Sequence, residues 1–237
     1  MYKEKIKITS IDVDNNFELK LSSLFKIMQE VASNHVESLN VGHYDLLKHN
    51  LLWVVIRIEV KIYKAIKLDD IITVTTHPGE QKSFIFPRYF QIYDKKGELL
   101  VNVSSMWAVI DKDTRKVVLR PQSIKAVKAE SNKNDLPLPL KVNIGEVSPV
   151  DERVVRYSNV DINGHLNNTQ YVEFIVDTHD LDFYKHHRLC RININYDKEI
   201  KFGDKVTILS NKEGKEIIVG KVDGENRFSA EIEYEER

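Results

Sequence analysis

The spacing of apolar residues predicts a helix and several strands in the first half of the chain. Partial alternation predicts a strand within residues 2–13. A stripe repeating every three or four residues then predicts a long amphipathic helix, with Ser22 and Ser23 as candidate caps. The stripe consists of Leu21, Leu24, Met28, Val31, His35 and Leu39. Four further strands are predicted at residues 51–63, 70–77, 84–93 and 98–110.

Residues 121–150 have a different composition. They contain four of the six prolines, Pro121, Pro137, Pro139 and Pro149. Proline lacks a backbone N–H, so this density disfavours a helix interior and a central strand. We interpret this stretch as a linker between two parts of the chain, residues 1–120 and residues 151–237.

The two parts share a sequence pattern. Residues 66–74 align with residues 200–208 at an offset of 134 (200 − 66), and Val13-Asp14 aligns with Val160-Asp161 at an offset of 147 (160 − 13). The difference of 13 falls between helix and strand, which predicts a longer helix or loop in the first half. We therefore predict an α+β fold with two repeats, each a long helix wrapped by an antiparallel sheet.

Composition and charge exclude several classes of protein. The chain has 237 residues, of which 42% are hydrophobic and 30% charged, and its formal net charge is -1. This balance gives no overall attraction to nucleic acid or to anionic membranes. Cys190 is the one cysteine, so an intrachain disulfide is excluded. The N-terminus lacks the apolar stretch of a signal peptide, and the most apolar window, residues 51–60, contains Arg57 and Glu59. We expect a soluble cytoplasmic protein.

The sequence predicts neither a metal site nor a cofactor. The eight histidines form no His-Glu-x-x-His pattern, and the single cysteine has no cysteine partner for zinc. No glycine-rich loop is present that could hold a nucleotide phosphate.

The candidate chemistry lies in a polar loop that leads into a predicted helix. The loop contains Asp161, Asn163, His165, Asn167 and Asn168. Backbone N–H groups at a helix N-terminus favour a developing oxyanion, and a histidine can transfer a proton near neutral pH. Capping alone would account for Asn167 or Asn168. The residues by themselves leave two interpretations open, a catalytic loop or a turn with an incidental histidine.

A resemblance to a known family favours the catalytic interpretation. The pattern Asp161-x-Asn163-x-His165-x-Asn167-Asn168-x-x-Tyr171 resembles the active-site signature of the plant and bacterial acyl-acyl carrier protein thioesterases, which have a double hotdog fold. Segments at 29–57, 104–115 and 187–199 resemble the same family, so the similarity covers nearly the whole chain. It implies hydrolysis of a fatty acyl thioester on the phosphopantetheine arm of acyl carrier protein. A coenzyme A thioester would react similarly.

The resemblance implies a catalytic set of Asp161, Asn163, His165 and Glu199. Glu199 would activate a water, alone or with His165. Asn163 and helix N-terminal amides would hold the thioester oxygen, and Asp161 would orient Asn163 or His165. Which group holds the water and which holds the carbonyl stays open.

Two details bear on this set. In plant members of the family a cysteine follows the glutamate, but here the residue is Ile200, which excludes a thiolate nucleophile at that position. We do not expect Cys190 to serve as the nucleophile instead. Simple alternation places Glu199 on the strand face opposite Ile192 and Ile194, so the site requires a bulge or a strand end near Lys198.

The first half lacks these groups. Its equivalent residues are Asp14, Asn16, Glu18 and Ala65, with no histidine among them. We therefore expect one active site, in the second half, while the first half shapes a pocket for the acyl chain. Candidate lining residues are Leu24, Met28, Val31, Trp53 and Trp107, although each taken singly is more simply a core residue.

The implied partner is acyl carrier protein, an acidic protein that requires a basic contact surface. Candidate contacts are Arg88, Arg115, Lys116, Arg120, Arg153 and Arg156. A homodimer through sheet-edge pairing would suit the fold, but no sequence feature requires one.

Two other classes of function remain as alternatives, a non-catalytic acyl-binding or regulatory protein and a dehydratase of 3-hydroxyacyl thioesters. Retention of all four implied catalytic residues argues against the acyl-binding alternative. The residue pattern of the signature fits hydrolysis better than dehydration.

Overall fold

The computed structural model describes residues 1–119, 121, 124, 127–211 and 215–237. Internal contacts divide the chain into two units, residues 1–19 with 26–139 and residues 20–25 with 140–237. The division between Pro139 and Leu140 lies inside the segment interpreted as a linker. Arg120, at the end of the predicted first repeat, and four residues of the predicted linker lie outside the described residues. Those four are Gln122, Ser123, Lys125 and Ala126.

The first unit contains an antiparallel sheet with the strand order β1-β3-β4-β5-β2. Its elements are β1 (Tyr2–Lys7), α1 (Leu21–Ser38), α2 (His43–Leu47), β2 (Leu51–Ile62), β3 (Ile71–Pro78), β4 (Phe86–Tyr93) and β5 (Leu99–Asp111). The four later strands are confirmed to within one or two residues.

Two details of the predicted start of the chain are wrong. Strand β1 ends at Lys7 rather than near residue 13, because a turn follows in which the Thr9 amide donates to Asp12 Oδ2 at 2.9 Å. Ser22 and Ser23 are not caps, because α1 already begins at Leu21 and both side chains are buried inside its first turn.

The proline-rich segment covers one face of the first sheet. Asn102 Nδ2 donates to the Asn134 carbonyl at 2.6 Å, and Ser104 Oγ donates to the Pro137 carbonyl at 2.8 Å. His77 Nε2 lies 2.9 Å from Asp135 Oδ1. The described residues from 127 to 147 contain no α-helix or β-strand, so their carbonyl groups are free to accept these bonds. Asn102 Nδ2, Ser104 Oγ and His77 Nε2 are therefore buried with a partner, whereas His77 Nδ1 has none among the described residues.

A buried cation lies between α1 and the sheet. Arg88 is 8% exposed, and its Nη1 lies 3.2 Å from His35 Nδ1 and donates to Thr76 Oγ1 at 3.1 Å. Burial lowers the pKa of Arg88 to about 10. Burial and the nearby charge of Arg88 lower the pKa of His35 to about 4, so the ring is neutral at pH 7 and Nδ1 accepts. The prediction that Arg88 contacts a partner protein is wrong, because its side chain is buried here.

The second unit contains an antiparallel sheet with the strand order β7-β10-β9-β8-β6. Its elements are β6 (Ser148–Val154), α3 (Asn168–Val176), α4 (Leu181–His186), β7 (His187–Tyr196), β8 (Lys205–Asn211), β9 (Glu216–Val222) and β10 (Glu225–Glu236). Helix α3 has nine residues and α1 has 18, which confirms the prediction of a longer helix in the first half.

Helix α3 packs against its sheet through an aromatic cluster. The ring centroid of Tyr171 lies 5.1 Å from that of Tyr196 and 5.3 Å from that of Phe228, both edge to face. Phe228 is fully buried opposite Gly220 on β9. A Cβ atom at Gly220 would lie 1.9 Å from Phe228 Cε1, so this contact requires glycine.

Replacing Gly220 by alanine should therefore destabilise the protein by roughly 1–3 kcal/mol, because Phe228 must leave its rotamer or the strands must separate. Urea unfolding measures this loss. Gly145→Ala is the matched control, since a Cβ there meets no atom within 4 Å, and it should change the free energy of unfolding by less than about 0.5 kcal/mol. Equal effects of the two substitutions would contradict the packing argument.

The His35 environment predicts a pH-dependent stability. Because its folded-state pKa lies below the ordinary value of 6.5, the unfolded chain binds an extra proton between pH 6.5 and pH 4. The contribution of neutral His35 to the free energy of unfolding is complete above pH 6.5 and is lost as the pH falls toward 4, by roughly 2–3 kcal/mol. Urea unfolding at pH 7 and pH 4.5 should show a smaller decrease for His35→Gln than for the wild type. Identical decreases would show that His35 does not carry the effect.

Candidate active site

The candidate loop is shaped by one carboxylate. The Asp161 amide donates to the His165 carbonyl at 2.8 Å, which closes a tight turn. Inside it, Asp161 Oδ1 accepts the backbone amides of Asn163 at 2.8 Å and His165 at 3.2 Å. Gly164 has a φ of +75°, a backbone conformation that side chains with a Cβ rarely adopt. Asp161 therefore orients both Asn163 and His165 through their backbone.

The structure brings His165 and Glu199 together. His165 Nε2 lies 3.3 Å from Glu199 Oε2, and the two side chains are 20% and 37% exposed. The segments that carry them pair directly, through a bridge between His165 and Lys201 and through the Leu166 amide, which donates to the Ile200 carbonyl at 2.8 Å. A histidine and a carboxylate at this distance can share and move a proton.

The end of strand β7 makes this approach possible. The strand ends at Tyr196, and the amides of Asp197 and Lys198 both donate to the Arg227 carbonyl, at 2.8 and 3.1 Å. This irregularity breaks the simple alternation of side chains along the chain. The predicted strand end near Lys198 is confirmed, and Glu199 lies on the side of His165 while Ile200 is fully buried.

Asn167 stabilises the first turn of α3. It is the N-cap of α3, and its Oδ1 accepts the Thr169 amide at 3.0 Å. Its own amide donates to the Asn159 carbonyl at 2.9 Å, and Asn159 Nδ2 donates to Gln170 Oε1 at 2.6 Å. These bonds fix the start of α3 next to the loop, so the positive end of the helix lies beside the candidate site.

Cys190 is a weak thiol nucleophile in this structure. Its Sγ donates to the Glu233 carbonyl at 3.3 Å, and burial raises the pKa of the thiol. Both effects favour the neutral thiol over the reactive thiolate. Burial likewise raises the pKa of Tyr171, which keeps its hydroxyl protonated.

The first half contains the same loop without the same chemistry. The Asp14 amide donates to the Glu18 carbonyl at 2.8 Å, and Asp14 Oδ1 accepts the amides of Asn16 at 2.8 Å and Glu18 at 3.1 Å. Phe17 has a φ of +60° at the position of Gly164. The two loops thus match bond for bond at the offset of 147, which confirms the internal repeat. Glu18 stands in the place of His165.

Three of the five candidate lining residues are buried, and Trp53 and Trp107 are partly buried. Leu24, Met28 and Val31 are at most 2% exposed along α1. Trp53 Nε1 donates to the Val41 carbonyl at 3.2 Å, and Trp107 Nε1 donates to Ser105 Oγ at 2.9 Å. These contacts are those of core residues, and a role in acyl binding stays a prediction.

Some residues next to the site were not singled out from the sequence. Lys201 is the bridge partner of His165, and Asn159 connects the preceding turn to α3. A signal for Lys201 was present, because the aligned repeat places Lys67 opposite Glu18 at the equivalent bridge. The hydrogen bond from Asn159 to Gln170 joins a turn to a helix, which no short-range pattern indicates.

Neither a metal-binding cluster nor a membrane-spanning helix occurs among the described residues. No cluster of three or more histidine, cysteine, aspartate or glutamate side chains could hold a metal ion. Within the same part of the chain, no helix is long and apolar enough to cross a membrane.

Superposition on solved structures identifies the fold of this chain. The chain superposes on an acyl-ACP thioesterase from Bacteroides thetaiotaomicron with a TM-score of 0.90 and 24% identity, over 98% of this chain and 97% of the other. It superposes on the 12:0-ACP thioesterase from Umbellularia californica with a TM-score of 0.87 and 20% identity, over 100% and 97%. These likenesses, with an antiparallel sheet in each unit, identify an α+β double hotdog.

The sequence then places the chain in a family. Residues 1–127 match the acyl-ACP thioesterase N-terminal domain, and residues 145–236 match the acyl-ACP thioesterase C-terminal domain. The chain belongs to the acyl-ACP thioesterase family. It is 26% identical over 247 residues to oleoyl-acyl carrier protein thioesterase 2, chloroplastic, of Arabidopsis thaliana, covering 95% of this chain and 66% of that protein. The chain spans between about half and two thirds of the length of the curated relatives it matches.

The repeated loop allows a matched test of Asp161. Asp161→Ala removes the acceptor of two backbone amides and should cost roughly 1–2 kcal/mol of unfolding free energy in urea. Asp14→Ala removes the same acceptor from the first loop and should cost a similar amount. Asp161→Asn keeps an oxygen at this position and should cost less. A stable Asp161→Ala variant would contradict the claim that this carboxylate shapes the loop.

Proposed function

We propose that this protein hydrolyses fatty acyl-acyl carrier protein thioesters to a free fatty acid and the carrier thiol. The observation that carries the proposal is the contact between His165 and Glu199, on a loop held by Asp161 beside the N-terminus of α3. Membership in the acyl-ACP thioesterase family supports the same activity and the same class of substrate. The carrier protein is accordingly the proposed partner.

The reaction needs no covalent intermediate. Glu199, alone or with His165, takes a proton from a water molecule, and the resulting hydroxide attacks the thioester carbonyl carbon. The developing oxyanion is stabilised by the Asn163 side chain or by the amides at the start of α3. Collapse of the tetrahedral intermediate breaks the carbon–sulfur bond, and the leaving thiolate recovers a proton from His165 or Glu199. Asp161 keeps Asn163 and His165 in place throughout.

We assign the chemistry to the second repeat and the acyl chain to the first. The second repeat, residues 151–237, carries all four proposed catalytic residues, while the first, residues 1–120, has Glu18 and Ala65 at the positions of His165 and Glu199. Residues Met28, Val31, Trp53 and Trp107 of the first repeat, with Leu24, remain our candidates for acyl contact. We also propose a cytoplasmic location, as the balanced composition suggests, and a homodimer as the form to test by sedimentation.

A coenzyme A thioesterase is the nearest alternative activity, because the reacting thioester is the same. A non-catalytic acyl-binding protein is the alternative from another class. The contact between His165 and Glu199 favours hydrolysis over simple binding, since an acyl chain can be bound without a proton-transfer pair.

Hydrolysis by wild type and single variants tests the proposal. Glu199→Gln and His165→Ala should each lower kcat/KM for acyl-acyl carrier protein by about 100-fold or more, because each removes a proton-transfer group. Asp161→Ala should lower it as well, whereas Asp14→Ala should not. Cys190→Ala is the matched control and should stay within about twofold of wild type, because the thiol is protonated.

The substrate panel separates the alternatives. Carrier-bound and coenzyme A-bound acyl chains of equal length should both be offered, and the thiol released should be measured directly. Preference for coenzyme A would replace the proposed substrate. Wild-type protein that binds acyl carriers but releases no thiol would show that the acyl-binding interpretation is correct.

A further inference from the structure

Large apolar side chains are exposed around the candidate site. Tyr157 is 86% exposed, Ile162 is 80% exposed and Phe202 is 64% exposed. Backbone hydrogen bonds connect the segments that carry these three residues. The Gly203 amide donates to the Val155 carbonyl at 3.0 Å, and the Leu166 amide donates to the Ile200 carbonyl. Single exposed apolar residues are ordinary, but several on one connected surface mark an interaction site.

The same surface carries two exposed cations, Arg156 and Lys201. Neither makes an ion pair with any described residue. Lys198 and Lys205, which lie nearby in sequence, are each neutralised at 2.8 Å, by Glu225 and Glu152 respectively.

Three carboxylates, those of Asp161, Glu199 and Asp204, lie in the same segments as these two cations. Asp204 Oδ2 accepts the Lys201 amide at 2.8 Å, and Asp161 accepts the amides of its own loop. Glu199 faces His165. We call the surface formed by Arg156, Tyr157, Ile162, Lys201 and Phe202 the site rim.

The internal repeat shows that Tyr157 and Ile162 themselves are not required to form the loop. At the offset of 147, the first-half counterparts of Tyr157 and Ile162 are Ser10 and Asn15, which are both exposed and polar. The first loop has the same hydrogen bonds as the second. Exposed apolar side chains also occur near the first loop, where Ile11 is 80% and Phe17 is 64% exposed, so what distinguishes the second loop is that its apolar side chains lie beside the pair of His165 and Glu199.

We propose that the site rim is the docking surface for the acidic carrier protein that presents the thioester, an inference that rests on the proposed function. The side chains of His165 and Glu199 are only 20% and 37% exposed, so the thioester must enter on a flexible arm while the carrier body stays outside. Arg156 and Lys201 can each pair with a carboxylate of an acidic partner, and the exposed apolar side chains of the rim provide the area buried on contact.

Binding of a carrier protein with an amide-linked, non-hydrolysable acyl chain tests the docking surface directly. The double variant Tyr157→Ser/Phe202→Ser should weaken binding about tenfold, because truncation of exposed aromatic anchors removes most of their contact area. Arg156→Glu should weaken binding as well and should reduce its dependence on salt. Ile11→Ser is the matched control, since Ile11 is equally exposed at 80% on the loop of the first unit, and it should stay within about twofold of wild type.

A second substrate separates docking from chemistry. Acyl-pantetheine has no carrier body, so the double variant should hydrolyse it within about threefold of wild type, while its KM for acyl-acyl carrier protein rises. Unchanged carrier affinity in the double variant, or equal loss in Ile11→Ser, would overturn the docking surface. Loss of a wild-type dimer in the double variant would identify the rim as an interface between copies instead.

The two proposals fail in different ways. If wild type binds the amide-linked carrier at the rim but hydrolyses neither substrate, the docking surface stands and the proposed hydrolysis is wrong. If wild type hydrolyses both substrates and the rim variants bind the carrier normally, the hydrolysis stands and the docking surface is wrong.

Discussion

The Asp161 carboxylate accepts two backbone amides, and the arrangement of the candidate site depends on this contact. One oxygen holds Asn163 and His165 in a turn that would otherwise leave their N–H groups unpaired. The same turn brings Leu166 into hydrogen bonding with Ile200, which places the segment of Glu199 beside His165. A short-range bond within five residues thus controls a contact between residues 34 positions apart (199 − 165).

The repeat separates the structural part of this arrangement from its chemical part. Asp14 makes the same two bonds in the first unit, yet Glu18 and Ala65 occupy the positions of His165 and Glu199. The loop can therefore be formed without a histidine. Because the backbone bonds are carried by an aspartate at the first position, the side chain at the fifth position is free to differ between the two halves.

Polar side chains buried against each sheet illustrate a second constraint. Asn102 and Ser104 donate to carbonyl groups of the proline-rich segment in the first unit, and Asn193 Nδ2 donates to the Leu140 carbonyl at 2.9 Å in the second. Prolines keep this segment out of regular structure, so its carbonyl groups remain available as acceptors. The segment thereby pairs the side-chain donors of Asn102, Ser104 and Asn193, while Asn195 Nδ2 on the second sheet has no partner among the described residues.

The sequence by itself determined the elements that depend on neighbouring residues. The stripe of α1, the strands, the longer first helix and the repeat were all predictable, because local periodicity and a constant offset carry that information. The resemblance named His165 and Glu199 together, whereas simple strand alternation placed Glu199 on the face opposite Ile192 and Ile194. Only the tertiary structure decided that β7 ends at Tyr196, that Arg88 is buried against His35 and that Tyr157 and Phe202 are exposed. These outcomes depend on which distant segments cover a side chain, and no local pattern encodes that.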